Sequence, residues 1–176
     1  KRRKVGIKGL SSSYGAGDVS ISSDGKSLYF VSDKRKGKGG TDIYVAHKNS
    51  SGKWGKPINL GVEINTSFDE ESPKIYDDSI LYFASNGRPG YGKADIYKCK
   101  IINDSIFDVQ ILPHPINSEG DDLHFDLHPF DESLGLLNSN RFGGKGDEDI
   151  YFASLPVDPY VKGYIKLAED SSIQEG

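Results

Sequence analysis

Apolar residues along this chain fall in short alternating runs separated by glycine, asparagine and aspartate, and long helical stripes are scarce. Alternation with β-branched and aromatic content predicts strands. Residues 69–120 illustrate the pattern, with strands expected at about 70–76, 79–85, 94–100 and 106–112. Asp24-Gly25 lies between two earlier predicted strands and signals a hairpin, because glycine accepts the positive φ of such a turn. Ser51-Gly52 does similar work further along.

The pattern repeats. Leu28-Tyr29-Phe30-Val31-Ser32 precedes Asp42-Ile43-Tyr44, Leu81-Tyr82-Phe83-Ala84-Ser85 precedes Asp95-Ile96-Tyr97, and Gly135-Leu136-Leu137-Asn138-Ser139 precedes Asp149-Ile150-Tyr151. Ser32 and Ser85 are 53 positions apart, Ser85 and Ser139 are 54 apart, and each serine lies 10 positions before its aspartate. Glycines follow each serine by five and seven positions: Gly37 and Gly39, Gly90 and Gly92, Gly144 and Gly146. A second marker, Ile64-Asn65-Thr66 before Asp69-Glu70-Glu71, recurs as Ile116-Asn117-Ser118 before Asp121-Asp122.

Four antiparallel strands per unit at a fixed period are the signature of propeller blades. The expected fold is therefore all-β: β-propeller blades, three of them four-stranded and antiparallel, forming an incomplete propeller because closed ones have about 4–8. Val5 and Ile7 lie 53 positions before Ile58 and Leu60. That alignment divides residues 1–155 into 5–17 as the last strand of a preceding blade, blades at 18–68 and 69–120, and a blade at 121–155 lacking its outer strand. The stray first strand is expected to belong to a missing upstream blade or to pair with the third blade as a closing seam. Leu155-Pro156-Val157-Asp158-Pro159 blocks further pairing, so residues 156–176 read as a linker and the first strand of a β-sandwich. The absence of an initiating methionine suggests a piece of a longer precursor.

Charge and cysteine narrow the function classes. A net charge of −4 offers no positive field for nucleic acid. Lys1-Arg2-Arg3-Lys4 is read as a solvated end or linker. Cys99 is the single cysteine, so neither an intramolecular disulfide nor a cysteine zinc cluster can form. No run of about 18 apolar residues occurs, so no membrane insertion is expected.

Trp54-x-x-Pro57-x-x-Leu60, Ile64-Asn65-Thr66, Asp69-Glu70-Glu71-Ser72-Pro73, Leu81-Tyr82-Phe83-Ala84-Ser85-Asn86 and Asp95-Ile96-Tyr97 together resemble the WD-like β-propeller repeats of the TolB type, in the version that precedes OmpA-type peptidoglycan-binding domains. The resemblance covers about residues 5–155. It implies a Gram-negative periplasm, association with the outer membrane, and similarity to the component that ties type IX secretion to peptidoglycan. It also implies that a carboxypeptidase-regulatory-like β-sandwich follows, which Val161-Lys162-Gly163-Tyr164-Ile165 resembles. The third unit departs from the pattern, with Leu136-Leu137-Asn138 in place of the aromatic pair and His128-Pro129-Phe130 added. Peptidoglycan would be bound only through a domain outside this chain.

Several motifs invite chemistry. Gly87-Arg88-Pro89-Gly90-Tyr91-Gly92-Lys93 matches the start of a phosphate-binding loop, but Ala94 lacks the magnesium-binding hydroxyl and a strand is predicted to follow. Asp122, His124, Asp126 and His128 alternate along one predicted strand face and are weak metal candidates, since a row along one line does not converge. The acidic turns, including Asp69-Glu70-Glu71 and Asp147-Glu148-Asp149, are expected to meet Arg35, Arg88 or Arg141 from neighbouring loops in salt bridges. Asp78-Ser79-Ile80 and Asp104-Ser105-Ile106 resemble an O-glycosylation sequon of the same bacterial group, making Ser79 and Ser105 candidate acceptors. No Gly-x-Ser-x-Gly elbow is present, and neither catalytic residues nor cofactors are assigned.

The expected function is a non-catalytic scaffold that binds cell-envelope proteins. Its candidate contact residues are Arg35, Lys36, Arg88, Tyr91, Arg141 and Phe142, which the three repeated loops present on one face and whose types anchor interfaces. The same side chains could instead staple blades together. Alternatives are a propeller binding a small ligand or glycan in its central channel, and an accessory propeller of an enzyme.

Overall fold

The computed structural model describes residues 5–11, 14–34 and 36–155. Arg35 and the expected β-sandwich start in 156–176 lie outside the described residues. The chain is all-β there, with three antiparallel sheets and no helix. The first sheet joins β1 (Ala16–Ile21), β2 (Ser27–Ser32), β3 (Asp42–His47) and β4 (Ile58–Asn59) in that order. The second joins β5 (Glu70–Tyr76), β6 (Ile80–Ser85), β7 (Asp95–Ile102) and β8 (Ser105–Ile111), again in sequence order. The third has β9 (Asp122–His128), β10 (Asp131–Ser139) and β11 (Asp149–Ser154), with β11 at its edge.

Turn chemistry sets these hairpins. Asp77 and Asp78 between β5 and β6, and Asn103 and Asp104 between β7 and β8, all take positive φ, as a twist-matched two-residue turn requires. Asp24-Gly25 turns β1 into β2, with Gly25 at φ 66. Asp24 accepts the Ser22 hydroxyl and the Lys26 amide, which hold its carboxyl down at about 2. Each b-to-c connection, from the second strand of a sheet to the third, folds over one carboxylate. Asp42 accepts the amides of Lys38 and Gly39, Asp95 those of Tyr91 and Gly92, and Asp149 those of Lys145 and Gly146. A Cβ at Gly37, Gly90 or Gly144 would overlap that carboxylate, which accounts for the first glycine of each pair.

The sheets stack face to face. Tyr29, Val31, Ile43 and Val45 of the first meet Ile75, Leu81, Phe83, Tyr97 and Cys99 of the second in one buried cluster. Tyr82 and Ile96 on the opposite face of the second sheet meet Phe125, Leu137 and Ala153 of the third. Burial pushes the Cys99 thiol up to about 12, so it remains a protonated core side chain. Two buried asparagines close the stack. Asn65 accepts the Ile43 amide at 2.8 Å and donates to the Ile43 carbonyl at 2.9 Å, and Asn117 repeats both bonds with Ile96 at 2.7 and 2.9 Å. Each amide side chain continues the ladder where the backbone leaves it, which explains the recurring Ile-Asn marker.

The N-terminal segment differs from its expected form. Ile7 makes a single parallel bridge to Trp54, and no strand forms over residues 5–11. Ile7, Leu10 and Trp54 instead cover Phe30, Tyr44 and Ala46 on the outer face of the first sheet. No seam with β11 is made among the described residues. No helix among them is long and apolar enough to cross a membrane.

Asn117→Ala would leave the Ile96 amide and the Leu112 carbonyl without partners in a buried core, while the Ile96 carbonyl keeps the Leu112 amide. The expected cost is about 3 kcal/mol, read from urea unfolding, with Cys99 labelled by a thiol reagent only as the chain unfolds.

Candidate functional site

Where one sheet's b-to-c loop meets the connection leading to the next sheet, the same bonds occur twice. Gly40 N–H donates to the Phe68 carbonyl, Thr41 N–H to Asp69, and Glu70 N–H to the Thr41 carbonyl, at 2.9 Å each. Lys93 N–H to Gly120, Ala94 N–H to Asp121 and Asp122 N–H to Ala94 reproduce them at 3.1, 3.2 and 2.8 Å. A Cβ at Gly39 would strike Phe68 and one at Gly92 would strike Gly120, so the second glycine of each pair permits this close approach. The amides that a phosphate loop would aim at an anion are committed to Asp95 and to the neighbouring connection.

The expected salt bridges between these acids and loop arginines are made only in part. Arg141 is paired with buried Asp122 at 2.7 Å. It also donates to the Pro115 and Ile116 carbonyls at 2.8 and 2.7 Å and lies over the Tyr151 ring. Arg88 reaches the carbonyls of Glu63 and Ile64 rather than a carboxylate, with its guanidinium near the Phe83 and Tyr97 rings. The difference has a geometric cause. Glu70 and Asp122 each accept from the residue four positions earlier, Thr66 and Ser118, but the Ser85 hydroxyl donates to Glu70 whereas the Ser139 hydroxyl accepts from Arg141. Arg88 follows its serine by three positions where Arg141 follows by two. Both arginines therefore cap the connection of the sheet pair, and neither is free on the surface.

Two other loop residues are free. Tyr91 is 49% exposed and Phe142 fully so, and with His114, Ser118, Glu119 and Arg141 they line a groove of about 450 Å³ between the second and third sheets. Lys36, exposed at φ 72, sits on the first loop and does not line this groove. The groove lining from Glu119 and His114 carried no signal in the sequence, because these residues reach the loops only through sheet stacking.

The Asp122, His124, Asp126, His128 row does not lie on one face. His124 takes φ 52 at a bulge in β9, which breaks the two-residue period. Asp122 turns inward to Arg141, His124 lies 3.8 Å from Asp18, Asp126 binds Lys74 and Tyr76, and His128 packs beside Phe130. Asp18 in β1 and Ser72 in β5 are bulged at matching positions, with φ 36 and 53. The Ser72 amide donates to Asp18 at 3.1 Å, so the three bulges gather around a cavity of about 270 Å³. This convergence is invisible in the linear alternation.

Beside it, burial first, and then Asp69 and Asp18, push the Glu71 carboxyl above its ordinary range. The candidate acceptors Ser79 and Ser105 directly follow turn aspartates that tie sheets together. Asp78 accepts the Ser23 amide and hydroxyl at 2.6 Å each, and Asp104 pairs with His47 at 3.0 Å. Ser105 is exposed and Ser79 half-buried. No family model matches this chain, and no curated protein matches it at a significant level.

Arg141→Ala strands the buried Asp122 charge and is expected to cost about 3 kcal/mol in urea unfolding, with Asp122→Asn in the same chain restoring part of it. Glu71 behaves oppositely to a stabilising carboxylate. Its raised folded pKa means that the folded state binds the proton more tightly, so ionisation opposes folding and the penalty fades as pH falls. Glu71→Gln is expected to raise the urea midpoint at about pH 7 and to leave it unchanged near pH 3.

Proposed function

We propose that the three sheets are successive blades of a β-propeller and that the chain acts as a non-catalytic, protein-binding scaffold in the cell envelope. One observation carries the blade reading. Tyr29, Ile43 and Val45 of the first sheet, and Tyr82 and Ile96 of the second, are at most 6% exposed because the following sheet covers them. Leu136, Ile150 and Phe152 occupy the matching positions of the third sheet and are 38%, 74% and 78% exposed. A face built for covering and left open is what an arc of a propeller presents.

The scaffold role is supported by a stiff stack in which Arg88 and Arg141 are used internally while Tyr91 and Phe142 project from the loop face. Exposed aromatic side chains on loops held by a rigid frame are the usual anchors of a protein partner. The periplasmic, outer-membrane and type IX secretion-like setting rests on the resemblance of the repeat, with peptidoglycan engaged through a domain outside this chain. A second reading, a small-ligand or glycan-binding propeller, draws support from the cavity at Asp18, Ser72 and His124.

Tyr91→Ala with Phe142→Ala is expected to abolish co-purification of envelope partners at unchanged urea midpoint. Full recovery of every partner by this variant would sink the scaffold reading at this face.

A further inference from the structure

Charge is segregated along this chain. Residues 1–17 and 43–62 contain eight of the 22 lysines and arginines and none of the 26 aspartates and glutamates. The fold brings parts of the two stretches together through the Ile7 bridge to Trp54. Between them runs a groove of about 800 Å³ lined by Lys8, Lys53, Lys56, Ile7, Trp54 and the bare backbone of Gly52. Lys48 stands over the Trp54 ring, 4.7 Å from its centre. None of these four lysines forms an ion pair among the described residues, whereas Lys26, Lys74, Lys93 and Lys100 each do.

Three lysines that line an open groove without an ion pair among the described residues, with Lys48 beside them over Trp54, repel one another, and an anion placed between them removes that cost. We propose that this groove binds an acidic polysaccharide, with the lysines meeting its carboxylates and the apolar lining of Ile7 and Trp54 meeting the C–H faces of its sugar rings. The composition of the groove separates this partner from other polyanions. Its cations among the described residues are all lysine, point charges that suit carboxylates spaced along a chain, and no guanidinium fork for phosphate lines the groove among those residues. A lone, partly covered tryptophan provides no series of stacking platforms for single-stranded nucleic acid. A concave groove encloses a linear polymer, whereas a lipid surface is met by projecting side chains.

Trp54 is the only tryptophan of the chain, so its fluorescence reports on the groove directly. Titrating the 176-residue chain with polygalacturonate is expected to give a saturable change that weakens with salt, while uncharged dextran gives none. Lys53→Glu with Lys56→Glu is expected to raise the apparent Kd about tenfold or more, and Lys145→Glu on the loop face to leave it unchanged. Unchanged affinity in the double variant overturns the proposal. So does tighter binding of phosphatidylglycerol vesicles or single-stranded DNA than of the polysaccharide. Loss of binding on removal of residues 1–4, with full binding by the double variant, would move the interaction to the terminal basic run and equally overturn it.

Discussion

Both sheet-to-sheet junctions among the described residues depend on a carboxylate that accepts a backbone amide from the preceding sheet. Asp69 holds Thr41 and Asp121 holds Ala94, each flanked by two backbone bonds, so neighbouring sheets are joined by hydrogen bonds as directional as those within a sheet. Apolar burial alone would allow the faces to slide. Paired donors and acceptors at the junction fix the register of one sheet on the next, and the buried Asn65 and Asn117 lock the strand behind it. Leaving any of these groups without a partner costs more than the bond itself contributes, and this asymmetry makes the junction intolerant of change.

That constraint separates structural from available polar groups. Arg88, Arg141, Asp42, Asp95, Asp122, Asp78 and Asp104 have the chemistry of binding residues but are occupied within the stack. Besides the open face of the third sheet, the places available to partners include the aromatic pair Tyr91 and Phe142, the cavity at the three bulges, and the lysine groove around Trp54. These three places lie on different parts of the molecule, so an interaction at one leaves the others open.

The repeat made much of this legible in one dimension. The spacing of Ser, Gly-x-Gly and Asp encodes a loop folded over its own carboxylate, and the hairpin at Asp24-Gly25 follows from the φ that glycine tolerates. The arginine roles were harder to read, because Arg88 and Arg141 follow their serines at different offsets and their partners come from distant segments. The row from Asp122 to His128 misled for a related reason. Alternation places side chains on one face only while the strand keeps its period, and a bulge at His124 ends it.

Sequence by itself determined the all-β class, the four-strand unit and the turns that bound it, since period-two alternation and positive-φ residues are local properties of the backbone. Tertiary structure alone decided which polar groups are spent and which are free, because that depends on pairs about 50 residues apart meeting across stacked faces. The lysine groove belongs to this second kind. Its halves are separated by some 40 residues of chain and become one surface only where Ile7 meets Trp54.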